Sequence, residues 1–219
     1  MSERSLVAIT GAGGSGKTNL SRRLQVALDR SDDFPPYRVD HISIGEYVRE
    51  QAQHVLGRGV LASDFRQAII NHMNASPHKP LDPPVIVGIL SEALLRSEAD
   101  TILLDGFPRF GNQVEQLYET SIREGLYVRA AVITHVNDDE AVRRMLKRGG
   151  ERDISEASAR RRLQMHHIGQ RAVRNHFIET GLPFVEIDMY HPKERTLVEA
   201  AEFINKTLAA TPPGSRQAS

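Results

Sequence analysis

The sequence predicts an α/β fold in which a five-stranded parallel sheet carries helices on both faces. Two observations predict it. The first is a set of short apolar runs, several of which stop at glycine or at Asp-Gly. The second is that these runs alternate, along 219 residues, with longer segments whose apolar side chains recur at helical spacing. This alternation of strand and helix is typical of a parallel sheet, in which ligands bind at the carboxyl ends of the strands.

The apolar runs predict five strands, and the longer periodic segments predict the helices between them. The predicted strands are residues 6–10, 38–42, 101–104, 130–135 and 184–188. The predicted helices are residues 17–28, 44–56, 63–73, 85–95, 111–123, 138–148, 153–180 and a last one from Pro192, with Leu197, Val198, Ala201, Ile204 and Leu208 directed inward. The four prolines of residues 76–84 predict a loop, and the polar residues 211–219 predict a mobile tail.

Helix ends can also be read from the sequence. Asp153, followed three residues later by Glu156, fits a capping pair at the start of the long helix 153–180. Gly181 and Pro183 follow the same helix, and this pair is typical of a helix end. We therefore expect one long helix between the fourth and fifth strands.

Composition excludes several classes of protein. Lys plus Arg number 28 and Asp plus Glu number 28, and a balanced charge argues against broad nucleic-acid binding. The absence of cysteine excludes disulfides and thiolate metal sites. No apolar run reaches the roughly 18 residues that a membrane helix needs, and the first residues do not resemble a signal peptide. The expectation is a cytoplasmic enzyme that acts as a monomer, without a nucleic-acid or membrane partner.

A glycine-rich loop follows the first strand. Residues 11–18, Gly-Ala-Gly-Gly-Ser-Gly-Lys-Thr, fit the pattern G-x-x-x-x-G-K-[ST] between a strand and a helix. Backbone N–H groups of such a loop cradle phosphates, and the helix that follows adds its positive N-terminus. Lys17 is predicted to reach the β- and γ-phosphates of a nucleotide, and Thr18 to be a ligand of Mg²⁺.

The same glycines permit other interpretations. Gly11, Gly13 and Gly16 also fit G-x-G-x-x-G, and Asp40 follows in the second strand as an acidic ribose partner would in a dinucleotide site. Such a site has no use for Lys17 and Thr18 at the helix start. A plain glycine-rich turn is the third interpretation. Residues 160–162 with His166 and His167 could form a nucleic-acid face or a metal pair, but adjacent helical residues point about 100° apart, which disfavours a shared metal.

Three downstream segments sharpen the prediction. Residues 41–49 contain Ser-Ile-Gly-Glu-x-x-Arg, residues 105–109 read Asp-Gly-Phe-Pro-Arg with Gln113 four positions later, and residues 136–148 end in two arginines four apart. In this order, together with the glycine loop, they resemble the nucleoside monophosphate kinase family, and most of all an adenylate kinase with a short lid. The similarity runs from residue 6 to about residue 208, and it implies the P-loop nucleoside triphosphate hydrolase-like fold.

The resemblance implies a role for each matching residue. It implies a core of residues 1–42, 85–148 and 156–210, a helical insert 43–84 that binds the acceptor monophosphate, and a lid 149–155. ATP would be bound by the loop residues Gly11, Ala12, Gly13, Gly14, Ser15, Gly16, Lys17, Thr18 and Asn19 together with Arg144 and Arg148. The acceptor would be bound by Ser43, Ile44, Arg49, Val85, Gly106, Arg109, Gln113, Arg152 and Arg162. Catalysis would rest on Lys17, Arg109, Arg148, Arg152 and Arg162, and Mg²⁺ would be held by Thr18 and, partly through water, by Asp105.

The resemblance implies transfer of the γ-phosphoryl group of ATP to a nucleoside monophosphate, with AMP favoured by Gln113. An acceptor phosphate is already anionic, so positioning and charge, rather than a general base, supply the catalysis. Departures keep alternatives open. Thr18 follows Lys17 directly where the family has glycine, Ile44 replaces threonine, and Arg152 precedes Arg162 by ten residues instead of eleven. A UMP- or CMP-type kinase, another small-molecule kinase, and a nucleotide-binding regulator without activity therefore remain as alternatives.

Overall fold

The fold is organised around one sheet. A computed structural model of the chain describes residues 4–29, 38–53, 67, 69–71, 82–148 and 155–210. The sheet has five strands in the order β2-β3-β1-β4-β5, and every neighbouring pair is parallel. The strands are β1 Arg4–Gly11, β2 Val39–Ser43, β3 Thr101–Asp105, β4 Leu126–His135 and β5 Phe184–Asp188. The five-stranded parallel sheet that the sequence predicts is confirmed.

Helices cover both faces of this sheet. They are α1 Lys17–Asp29, α2 Ile44–Gln53, α3 Pro83–Leu95, α4 Asn112–Arg123, α5 Asp138–Arg148, α6 Glu156–Thr180 and α7 Lys193–Ala209. The central strand shows why two cores form. Leu6 and Ala8 point into a cluster that includes residues of α3, α4 and α6, whereas Val7 and Ile9 point into a cluster with α1 and α7. Alternate residues of a strand face opposite sides, so β1 is buried on both.

Several boundaries differ from the sequence prediction. Helix α3 begins at Pro83 rather than at residue 85, because proline is tolerated in the first turn, where its missing N–H has no helical partner. Helix α6 is capped by Ser155 and Ser158, whose side chains and backbone N–H groups pair reciprocally, instead of by the predicted Asp153 and Glu156. Asp153 itself lies outside the described residues. Strand β4 begins at Leu126, four residues before the predicted start, because its first part pairs with β1.

The last helix keeps most of its predicted inward face, because Ile204 is buried and Leu197, Ala201 and Leu208 pack against the core. Its buried residues are Thr196, Ala200 and Ile204, whereas Val198 is 53% exposed, so the prediction that Val198 faces inward was wrong. Of the predicted helix 63–73, the structure describes residues 67 and 69–71, which are helical. The predicted lid 149–155, apart from residue 155, and the tail 211–219 lie outside the described residues. No helix in the described part of the chain is long and apolar enough to cross a membrane.

Topology brings the carboxyl ends of three strands together. The loop that follows β1 lies between the ends of β3 and β4, its neighbours in the sheet. Ile9 of β1 is in register with Asp105, the last residue of β3, and Gly11 is in register with Thr134 of β4. The backbone N–H of Gly106 then donates to the carbonyl of Ile9 at 2.8 Å. Residues that follow these three strands therefore share one edge of the sheet.

Candidate active site

The glycine loop connects β1 to α1 at that edge. Gly14 and Gly16 have φ angles of +79° and +90°, a left-handed backbone that favours glycine. Ser15 turns its hydroxyl to that of Thr134 at 2.7 Å, and Thr134 also donates to the carbonyl of Thr10 at 3.2 Å. The loop is therefore fixed against the end of β4, and α1 begins directly at Lys17.

Gly14 provides a test of how tightly this loop is packed. A methyl group on Gly14 would overlap the backbone carbonyl of Ala141 in α5, and the positive φ adds backbone strain. We expect Gly14→Ala to lower the free energy of unfolding by about 2–4 kcal/mol and to weaken nucleotide binding. Urea unfolding measures the first effect. Gly125→Ala is the matched control, because Gly125 has a similar φ of +70° but no described heavy atom within 4 Å of an added methyl group. Equal losses in the two variants would contradict the packing argument.

Lys17 lies at the centre of a group of cations. Its Nζ atom donates to the carbonyl of Ala12 at 3.2 Å, so the side chain folds back over the loop. Burial and the positive charges of Arg109, Arg148 and Arg162 lower the pKa of Lys17 to about 8, although Asp105 acts in the opposite direction. The three arginines come from separate loops and helices of the chain. Their positive charges therefore converge on the loop that the sequence assigns to phosphate binding.

Asp105 lies at the end of β3, opposite the start of α1. Its Oδ2 atom accepts a hydrogen bond from the Thr18 hydroxyl at 2.6 Å and lies 3.6 Å from Nε2 of His41. Burial alone would raise the pKa of Asp105, but His41, Lys17 and the Thr18 hydroxyl together lower it, so the carboxylate is ionised at neutral pH. Its other oxygen, Oδ1, is buried and has no hydrogen-bond partner among the described residues. The two predicted metal ligands, Thr18 and Asp105, are thus in direct contact.

A cavity of about 340 Å³ opens beside the loop. It brings together predicted nucleotide-binding residues of the loop and of α5, and it adds Lys147, which the sequence analysis missed. The lining residues are Gly14, Gly16, Lys17, Thr18, Asn19, Arg144, Lys147 and Arg148.

The loop after β5 also reaches this side of the glycine loop. The Arg144 guanidinium donates to Glu140 at 2.6 Å and to the carbonyl of Met189 at 3.3 Å, and a methyl group on Gly16 would lie 3.2 Å from Cε of Met189. Sequence reasoning missed the segment around Met189 because it follows β5 and carries no motif.

On the other side of Lys17, two predicted acceptor residues converge on α2. A methyl group built on Gly45 would lie 3.2 Å from Nη2 of Arg109 and 3.6 Å from Nη1 of Arg49. Arg109 is held in place because its Nε donates to the carbonyl of Gly106 at 2.7 Å. Both guanidinium groups therefore approach the same point from different segments, as the predicted clamp on a second anion requires.

The remaining predicted acceptor residues fall into two groups. Gln113 is buried, and its Oε1 atom accepts the backbone N–H of Arg109 at 2.7 Å, while the hydroxyl of Ser43 accepts the N–H of Glu46 at 3.4 Å at the start of α2. Ile44 is 3% exposed and belongs to the core, and Val85 packs against the same core while partly exposed. The structure thus gives Ile44 and Val85 a packing role, and any contact of theirs with an acceptor stays a prediction.

Helix α6 lies over the glycine loop. A methyl group on Gly13 would lie 3.0 Å from Nη2 of Arg162, which places this predicted residue beside the loop, whereas Arg152 lies outside the described residues. His166, one turn later, accepts the N–H of Gly13 on its Nδ1 at 2.8 Å. His167 points elsewhere and pairs with Asp138 at 2.9 Å. Sequence reasoning treated the two histidines only as a possible pair, and their separate partners become visible only once α6 is packed on β1.

Comparison with known proteins is consistent with this geometry. A family model described as "AAA domain" matches residues 10–185, from the end of β1 into β5. The chain belongs to the AAA domain family. The match covers the glycine loop and most of the other residues assigned here to the site.

Relatives with related sequences extend over nearly the whole chain. A protein named adenylate kinase from Parabacteroides distasonis is 26% identical over 179 residues, which is 80% of this chain and 85% of the relative. Adenylate kinase of Helicobacter hepaticus is 27% identical over 195 residues, covering 89% of this chain and 87% of the relative. Adenylate kinase of Nitratiruptor sp. is 24% identical over 205 residues, covering 92% and 95%. The resemblance to nucleoside monophosphate kinases is confirmed, and the chain is an enzyme of that type.

Proposed function

We propose that this protein transfers the γ-phosphoryl group of ATP to AMP, giving two molecules of ADP, with Mg²⁺ as cofactor. The observation that carries the proposal is the convergence of Arg109, Arg148 and Arg162 on Lys17 at the glycine loop, with one ionised carboxylate, Asp105, opposite. A site with this excess of positive charge suits a nucleoside triphosphate and a nucleoside monophosphate held close together.

The chemistry requires little more than this arrangement. The attacking atom is a phosphate oxygen that is already anionic at neutral pH, so no side chain has to remove a proton. Lys17 and the arginines hold both nucleotides and spread the negative charge that develops on the transferring phosphoryl group. Guanidinium groups present paired donors to paired oxygens, which favours arginine over lysine at the acceptor phosphate.

The residues at Asp105 fit a magnesium ion. Mg²⁺ prefers hard oxygen ligands and keeps several of its waters, and here a hydroxyl and an ionised carboxylate lie side by side, with Oδ1 of Asp105 buried and without a partner among the described residues. When bound, the ion would supply positive charge that offsets the negative charge of the phosphates. Thr18 and Asp105 would hold it, and His41 would keep the carboxylate in place from β2.

AMP is proposed as the acceptor for two reasons. The relatives described above are named adenylate kinase. In addition, Oε1 of Gln113 accepts the N–H of Arg109, which orients the carboxamide, and its Nε2 is a hydrogen-bond donor. Adenine N1 is a ring acceptor that could take such a bond. Residues 43–84 would form the acceptor-binding insert, residues 149–155 the lid that excludes water, and the enzyme would act as a monomer.

A panel of acceptors tests the proposal. The purified enzyme, ATP and Mg²⁺ are mixed with AMP, CMP, UMP or GMP, and diphosphate formation is followed by ³¹P NMR. We expect AMP to react at least about tenfold faster than any other acceptor. Lys17→Ala, purified identically, is the control for adenylate kinase carried over from the expression host. Faster reaction with CMP or UMP would reject AMP, and reaction with none, while ATP still binds, would favour the regulator.

A further inference from the structure

One face of α6 lies against the glycine loop and the end of β1 over three successive turns. Arg162, His166 and Gln170 lie at i, i+4 and i+8 and therefore point to the same side of the helix. Arg162 lies beside Gly13, His166 accepts the N–H of Gly13, and Nε2 of Gln170 donates to the Thr10 hydroxyl at 2.8 Å. The helix that follows the predicted lid is thus attached to the end of β1 and to the loop that would hold phosphate.

The bond between Gly13 and His166 defines the state of the imidazole. Because Nδ1 accepts a backbone N–H at 2.8 Å, it carries no proton, so the ring is neutral with its proton on Nε2. The surroundings favour this form strongly. Burial and the charges of Arg109, Lys17 and Arg162 lower the pKa of His166 to about 2. His166 therefore stands among the cations of the site without adding another positive charge.

The loop needs such a partner. Residues 11–14 carry no side chain beyond one methyl group, so the segment cannot fix its own conformation, and glycines lose more backbone freedom on ordering than other residues do. Ser15 anchors the far end of the segment to Thr134. His166 anchors its middle, and Gly13 sits so close to Arg162 and Met145 that a larger residue would displace them.

We propose that His166 is a positioning residue for ATP: its imidazole holds the Gly13 amide and so keeps the glycine loop in the conformation that receives the phosphates. This inference rests on the proposed function only in taking ATP as the nucleotide. In the opposite role, the imidazole would compete with ATP, because it would occupy the position that a phosphate group takes at the Gly13 amide. The two roles predict opposite changes in ATP affinity when Nδ1 of His166 is removed. If the imidazole holds the loop, ATP binds more weakly; if it competes with phosphate, ATP binds more tightly.

The experiment compares three variants of the full chain by calorimetric titration with Mg·ATP. His166→Leu removes the acceptor, and His166→Asn keeps an acceptor oxygen at the same number of bonds from the backbone as Nδ1. We expect His166→Leu to weaken ATP binding by about tenfold, the factor that one hydrogen bond is worth, and His166→Asn to restore it to within about threefold of wild type. His167→Leu is the matched control, and we expect no change beyond about twofold, since the surface pair of His167 with Asp138 contributes little.

Amide hydrogen exchange at Gly13, followed by ¹⁵N NMR, supplies the second measurement. The Gly13 amide should exchange faster in His166→Leu than in wild type and His166→Asn, while residues of β3 keep their rates, which shows that the fold is intact. Unchanged or tighter ATP binding in His166→Leu overturns the proposal, as does binding in His166→Asn as weak as in His166→Leu. Neither measurement requires turnover. The test of His166 therefore stays valid if no acceptor reacts, and the acceptor panel stays valid if His166 proves not to position the loop.

Discussion

Replacing Lys17 with methionine should lower the rate of phosphoryl transfer by at least about 1,000-fold and, at the same time, stabilise the protein without nucleotide. The loss of rate follows from position, because Lys17 lies on the glycine loop among the charges of Arg109, Arg148 and Arg162, where the transferring group would sit. A preorganised charge at such a point contributes several orders of magnitude to catalysis. Methionine keeps most of the aliphatic length and removes the charged ammonium group together with its hydrogen bond to the Ala12 carbonyl.

The gain in stability follows from the lowered pKa of Lys17. Unfolding returns this pKa from about 8 to 10.5, so the unfolded chain binds the proton more tightly and the charged lysine destabilises the folded state. The loss of folding stability caused by the charged lysine is complete below about pH 8 and disappears as the pH rises toward 10.5. The full difference corresponds to about 3 kcal/mol, and since the side chain is partly open to the cleft we expect about 1–2 kcal/mol.

Two measurements check this prediction. Turnover with ATP and AMP gives the loss of rate, and urea unfolding at pH 7 and pH 10 gives the stability difference between Lys17→Met and wild type, which should shrink at the higher pH. Lys206→Met is the control for removing a lysine on the surface of α7, and both of its values should match wild type. A stability gain that does not change with pH would show that the charge of Lys17 is not its cause.

The sequence was most informative where local chemistry determines structure. The loop residues 11–18 and the Asp-Gly-Phe-Pro-Arg segment each carry their motif in consecutive residues, and the five-stranded sheet follows from short apolar runs. These predictions required no knowledge of which elements touch. Helix ends were less certain: the cap at Ser155 depends on two serine side chains bonding back to the backbone, and an acidic pair nearby offered a second solution.

Contacts between distant segments could not be read in the same way. His166 carries no motif, and its role depends on α6 crossing the end of β1, 153 residues away in the chain. Lys147 and Met189 come close to the proposed ATP site only through the packing of α5 and the loop after β5 against the glycine loop. Ile44 shows the converse, because a motif position that predicts ligand contact is also buried in the core, which the motif did not indicate.

Replacing Arg109 with alanine should reduce kcat/KM for the acceptor by about 1,000-fold or more while leaving ATP affinity within about threefold of wild type. Its guanidinium reaches toward Gly45 next to Arg49 and is oriented by the carbonyl of Gly106 at 2.7 Å. This places its charge on the side of Lys17 where the acceptor is proposed to bind. Loss of a paired, partly buried guanidinium that binds and orients an anion costs several kcal/mol in the transition state.

The conservative variant makes the prediction specific to geometry. Arg109→Lys keeps the positive charge but has a single donor group, so it cannot bond the Gly106 carbonyl and an acceptor phosphate with one fixed fork. We therefore expect Arg109→Lys to recover no more than about tenfold of the loss. Initial rates with AMP varied at saturating ATP, and titration with Mg·ATP alone, separate the two substrates. Arg123→Ala is the control, since Arg123 is exposed on α4 and, among the residues that the structure describes, forms an ion pair only with its neighbour Glu124. If ATP binding falls as much as acceptor use does, Arg109 serves both substrates rather than the acceptor alone, and the prediction is wrong.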